Sequence, residues 1–166
     1  MKITRIRDAV APIPSPMRNS VISFDKMTIS VVAIETDVVR DGKPVTGLGF
    51  CSNGRYAQSG IMRERLIPRI METDPEALLD DSGNNVSPQR IWAAMMRNEK
   101  PGGHGDRAVA AGAIDMAVWD LVAKLDDKPL WSVLSARYND GRHLDDVLVY
   151  SGGGYYYPDD EKAGLI

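Results

Sequence analysis

A chain of 166 residues, 43% hydrophobic and 26% charged, is long enough for one proper core, or for one domain and a piece of another. Its formal net charge of −3 gives no electrostatic basis for binding nucleic acid or an anionic membrane. The single cysteine, Cys51, rules out an internal disulfide, and no long apolar run marks a leader or a membrane span, so a cytoplasmic protein is expected.

In chain order, residues 2–11 alternate loosely between apolar and polar and predict a strand ending at Pro12. A proline-stiffened polar loop over residues 12–20 carries Asn19. Residues 28–37 have the β-branched content of a second strand. Asp41-Gly42 supplies a hairpin turn, and residues 45–50 return as its partner. A second polar loop, residues 51–56, carries Asn53 and Arg55. Helices are expected over residues 59–71 and from the starts Asp74-Pro75 and Ser87-Pro88, each a capping residue followed by proline. The glycine-rich stretch Lys100-Pro101-Gly102-Gly103-His104-Gly105 then leads into a long helix over residues 106–124 with Asp106 as its cap. Ala110, Ile114, Ala117 and Leu121 fall on one face of that helix, widened by Val118. Another short helix starts at Lys128-Pro129-Leu130. Strands first and helices after predict an α+β domain over residues 1–137. Residues 138–146 read as a polar linker, and residues 147–150 as a short apolar strand that opens a second unit over residues 138–166.

The residues Gly112-Ala113-Ile114-Asp115-Met116-Ala117-Val118-Trp119-Asp120-Leu121, with Lys124, Lys128-Pro129-Leu130 and Leu134, resemble the cap-domain helix of the enolase superfamily in its mandelate racemase-like branch. Asn53-Gly54-Arg55-Tyr56, Trp92-Ala93-Ala94-Met95-Met96, Asn98-Glu99-Lys100-Pro101-Gly102-Gly103-His104-Gly105 and Gly153-Gly154-Tyr155-Tyr156-Tyr157-Pro158 are similar to the D-tartrate dehydratases of that superfamily. The resemblance implies a cap domain followed by the first strand of a (β/α) barrel. A full barrel needs about 250 residues, so the barrel would be truncated here. It also implies magnesium-dependent removal of a proton next to a carboxylate, followed by loss of the β-hydroxyl. D-tartrate would then give oxaloacetate and water.

By the same resemblance Lys100, Asn19 and Asn53 fall at substrate-contacting positions, with Lys100 also a candidate catalytic group. An ammonium neutralises a carboxylate, and a carboxamide both donates and accepts. The family's magnesium ligands and proton-transfer residues have no match in this chain, so no metal ligand is assigned. The implied partners are a small acid-sugar substrate and further copies of the protein, a homo-oligomer, with no nucleic acid and no membrane. Taken alone, each asparagine suits a turn and Lys100 suits a solvated loop. Arg55, His104 and one of Tyr155, Tyr156 and Tyr157 are weaker candidates. Asp115 and Asp120, five residues apart, point in different directions on a helix and are read as structural. Neither Cys51 nor His143 is assigned a role. A non-catalytic cap module and a dehydratase for another acid sugar are the alternatives.

Overall fold

The computed structural model describes residues 1–51, 58–100 and 105–150. Three strands come first: β1 (Ile3–Pro12), β2 (Thr28–Arg40) and β3 (Lys43–Cys51). They form one antiparallel sheet in the order β1-β2-β3. Both turn residues between β2 and β3 have positive φ, 51° at Asp41 and 73° at Gly42, as the expected Asp-Gly hairpin turn requires. The even-numbered residues Ser30, Val32, Ile34 and Thr36 of β2 are buried on the helix-facing side of the sheet.

Helical chain then covers that side. Residues 58–71 run as α1 (Gln58–Ile61), a π-helical segment (Met62–Leu66) and α2 (Ile67–Met71). The widened turn directly precedes Pro68, which has no N–H to give a regular ladder and whose ring crowds the carbonyl four residues back. The Asp74-Pro75 start yields only a 3-10 turn, Pro75–Leu78, although Asp74 does cap it through the Glu76 amide at 3.0 Å. A tight turn around Gly83 follows, which stops that turn growing into a helix. The Ser87 start holds: Ser87 accepts from the Arg90 amide at the head of α3 (Pro88–Met96). After α3 come α4 (Asp106–Leu125) and α5 (Leu130–Tyr138).

Asp106 is not the cap of α4. Gly105 holds that position with φ 66° and ψ −124°, a conformation open only to glycine, and no side chain caps the helix. Asp106 sits in the first turn, where its charge complements the helix dipole. Ala110, Ile114, Ala117, Val118 and Leu121 are buried, as the spacing predicts.

α4 lies directly against β3. A methyl built on Gly47 would fall 2.1 Å from the Ala117 carbonyl oxygen, and one on Gly49 would fall 2.2 Å from that of Ala113. The order of these contacts makes the two elements antiparallel, so the start of α4 stands over the Cys51 end of β3. At the other end, Arg40 donates to the carbonyls of Lys124 and Leu125 and closes the helix C-terminus.

Residues 138–146 are not a loose linker throughout. Ser135 donates to the Arg142 carbonyl at 2.7 Å, and the Trp131 and His143 rings lie 4.6 Å apart, so this stretch folds back on α5. Residues 147–150 take no part in a sheet ladder and are 76–98% exposed. An apolar strand needs a neighbour for its backbone groups, and none stands beside it among the described residues.

Gly49→Ala is expected to lower stability by about 2 kcal/mol or more, since the obstruction is helix backbone rather than a movable side chain. Urea denaturation monitored by circular dichroism checks this; a midpoint equal to wild type would refute the close packing of α4 on β3.

Candidate functional site

β1 and β3 end, and β2 begins, at one end of the sheet: Pro12 pairs with Thr28 and Cys51 with Ser30. α1 is anchored there too, because Gln58 donates to the Ser30 hydroxyl at 2.9 Å and the Ser30 and Ser59 hydroxyls lie 3.4 Å apart. The antiparallel run of α4 brings its N-terminus to the same end. The segment bearing Asn19, the two residues that bracket Asn53 (Cys51 and Gln58), and the approach to α4 that bears Lys100 are thus gathered at one end of the domain.

Residues 13–27 extend the β1–β2 hairpin. Ile13 donates to the Met27 carbonyl at 2.8 Å, Ser15 to that of Phe24 at 2.9 Å, and Asn19 to that of Ile22 at 2.9 Å. At the tip, Asn19 Oδ1 accepts from the Val21 and Ile22 amides at 2.9 and 2.7 Å. That is the turn role an asparagine plays in isolation. It consumes the carbonyl oxygen and leaves Nδ2 as the donor available to a ligand.

Lys100 is exposed. Its backbone, in contrast, is held: Arg107 Nη1 donates to the Lys100 carbonyl at 3.1 Å. No hydrogen bond or ion pair joins Asn19 to Lys100. Asn53, Arg55, His104 and the three tyrosines at 155–157 lie outside the described residues.

The most heavily paired charge at this end among the described residues is Glu99, next to Lys100, which the sequence does not single out. Its side chain is 4% exposed. Arg65 of the π-helical segment reaches its carboxylate at 2.6 and 2.7 Å, Arg69 of α2 at 2.8 Å, and Arg107 of α4 at 2.8 Å. Arg69 also donates to the Met95 carbonyl at 2.9 Å. The hydrogen bonds from Arg107, Arg69 and Arg65, in that order of weight, lower the Glu99 pKa from 4.5 to about 2. One carboxylate faces three guanidinium groups, so the cluster carries excess positive charge. The available sequence signal was the spacing of Arg65 and Arg69, four residues apart on one helical face. Its target could not be read without the fold.

Asp120 and Lys124 are structural. Asp120 accepts from the Leu48 amide at 2.7 Å and from Lys124 at 2.6 Å, and Lys124 donates to the Thr46 carbonyl at 2.9 Å, so this pair occupies the free edge of β3. Asp115 is half-buried, and desolvation raises its pKa. An open cleft of about 920 Å³ near Arg40, Lys43 and Lys128 lies at the opposite end, where Arg7, Arg40 and Lys124 are already paired.

Among the described residues, no group of three or more His, Cys, Asp or Glu side chains is placed to hold a metal ion. Magnesium takes carboxylate oxygens and water, whereas the Glu99 carboxylate is filled by arginines. The described residues do not fit a magnesium site.

Residues 2–135 match the model of the mandelate racemase/muconate lactonizing enzyme N-terminal domain. The chain belongs to that family. The match runs from β1 into α5, so this N-terminal domain is the whole sheet-and-helix unit described above. A D-mannonate dehydratase of Novosphingobium aromaticivorans is 32% identical over 154 residues, covering 90% of this chain and 30% of that protein. An L-talarate/galactarate dehydratase of Salmonella typhimurium is 26% identical, covering 92% and 36% respectively. A mandelate racemase/muconate lactonizing enzyme-like protein from Rubrobacter xylanophilus shares the fold, with a TM-score of 0.51 and 24% identity over 78% of this chain and 32% of that one. The chain spans less than a third of the length of the first curated relatives it matches. These relatives are acid-sugar dehydratases of the enolase superfamily. No described helix is long and apolar enough to cross a membrane.

Because the Glu99 pKa is depressed, its pairing stabilises the fold fully above about pH 4.5 and is lost as pH falls toward 2. The urea midpoint should therefore fall with acid over that window, and Glu99→Gln should flatten that fall while lowering the midpoint at neutral pH. Parallel acid profiles for the two proteins would refute the assignment.

Proposed function

We propose that this domain is the substrate-binding lid of an acid-sugar dehydratase acting on D-tartrate, within a longer magnesium-dependent enzyme. The observation that supports the reading best is the gathering of Asn19, the residues bracketing Asn53, and Lys100 at one end of the sheet, backed by the positive Glu99 cluster. A dicarboxylate carrying hydroxyls calls for this set: a cation for the distal carboxylate and carboxamide groups for hydroxyl and carboxylate oxygens. In this reading Lys100 binds the distal carboxylate, and Asn19 donates through Nδ2. Asn53 supplies a second carboxamide. The proton next to the other carboxylate and the β-hydroxyl leave together as water, giving the enol that becomes oxaloacetate. The barrel supplies the base and the magnesium ligands; residues 138–166 are the passage into it. The partners are the acid-sugar substrate and further copies of the protein, and the setting is cytoplasmic.

Within a full-length protein, Lys100→Ala should lower kcat/KM for D-tartrate by about 10- to 100-fold, the range expected for one lost charge-assisted hydrogen bond. Unchanged kinetics would remove Lys100 from the site. Preferential turnover of galactarate or D-mannonate over D-tartrate would keep the dehydratase reading and replace its substrate. The isolated 166-residue chain should show no tartrate turnover.

A second reading, a non-catalytic cap module that assembles with other chains, draws on the exposure of residues 147–150. Apolar side chains in that state favour self-association. Sedimentation velocity on the isolated chain should show association that Leu148→Asp abolishes; a monomer at all concentrations would count against this module.

A further inference from the structure

We infer that Glu99 is a positioning residue for Lys100, acting through Arg107. The inference rests on the proposed role of Lys100 in binding the substrate. Arg107 Nη1 bridges the Glu99 carboxylate at 2.8 Å and the Lys100 carbonyl at 3.1 Å, closing a small ring across two successive residues. The carboxylate is gripped at the same time by Arg65 and Arg69 from the opposing helix, and Arg69 reaches on to the end of α3 through the Met95 carbonyl. Four helical segments therefore converge on residue 99. Asn98, just before it, adopts φ 62°, a left-handed conformation that costs energy for a non-glycine residue. It turns the chain out of α3 so that residue 99 points inward and residue 100 outward.

Neutralising one carboxylate needs one guanidinium. Three arginines on a 4%-exposed group bring excess charge at a desolvation cost. What the arrangement secures is location: the exposed lysine stands on a main chain fixed from both sides, so its ammonium is presented from a defined origin. Misplacing a binding group by about 1 Å can cost as much as 100-fold in rate.

The test is a double-mutant cycle in the full-length protein with D-tartrate: Glu99→Gln, Lys100→Ala and the two together. Glu99→Gln should lower kcat/KM about tenfold, dividing between kcat and KM in the same proportion as Lys100→Ala, and the double variant should be no worse than Lys100→Ala within about twofold. A merely structural role gives additive losses, which would overturn the inference, as would wild-type kinetics for Glu99→Gln beside a crippled Lys100→Ala. If Lys100→Ala itself matches wild type, the substrate reading has failed instead. Arg107→Lys serves where Glu99→Gln does not fold, since its shorter side chain keeps the positive charge but draws the donor back from the place Nη1 holds between the two acceptors; the same non-additivity with Lys100→Ala is expected. Independently of substrate, hydrogen exchange at the Glu99 amide, bonded to the Met96 carbonyl at 3.0 Å, should quicken at least tenfold in Glu99→Gln and Arg107→Lys and stay unchanged in Lys100→Ala. Unchanged exchange in the first two would refute the positioning role.

Discussion

The contact on which everything else depends is the one between α4 and β3, where two glycines let a helix backbone rest on a strand. With Ala113 and Ala117 facing Gly47 and Gly49, no side chain keeps the two elements apart. That fixes their distance, and the order of the contacts fixes their relative direction. Because β3 ends where α4 begins, the start of α4 stands at the same end of the sheet as the ends of β1 and β3. The antiparallel order of the sheet brings the ends of β1 and β3 together, and this one packing contact adds the start of α4 to them.

The same contact solves an edge problem. β3 is the last strand of a three-stranded sheet, and its outward amides and carbonyls would otherwise offer a template for another chain. Asp120 and Lys124, one turn apart on α4, take up the Leu48 amide and the Thr46 carbonyl. Arg40 performs the complementary task for α4, satisfying carbonyls that a helix terminus leaves unpaired. Asp120, Lys124 and Arg40 are thus absorbed by backbone hydrogen bonding. The Glu99 cluster stands at the opposite end.

The strands, the Asp-Gly turn, the Ser87 cap and the buried stripe of α4 were legible because each depends on local pattern: alternation, turn chemistry, capping and helical spacing. The helix over residues 58–71 was legible in extent but not in its π-helical turn, which answers to Pro68 and to packing. Asp106 was misread as a cap because residue type points to aspartate there, while the backbone needed the φ that only Gly105 tolerates. The extended reading of residues 147–150 followed composition, but a strand is a pairing, and pairing is not written in one segment. At the site, Lys100 and Asn19 were picked out by resemblance, and the structure adds what resemblance could not: the Asn19 carbonyl oxygen is spent on its own turn. Glu99 escaped notice because its partners come from 8 to 34 residues away.

A lid that binds a small polar substrate faces opposing demands. Its loops must present polar groups to solvent, and exposed polar loops are the least constrained part of a fold. One solution is to bury an anchor immediately beside the presented group. In the proposed lid Glu99 and Lys100 would divide the work in this way: adjacent in sequence and opposite in exposure, one held by three arginines and the other exposed. The excess guanidinium charge also keeps the cluster around the anchor positive whether or not the lysine is engaged. An anionic ligand would then meet a favourable field before any specific contact forms. Anchor and field come from the same three arginines, so a substitution at Glu99 changes both, whereas a charge-keeping substitution such as Arg107→Lys alters the geometry alone.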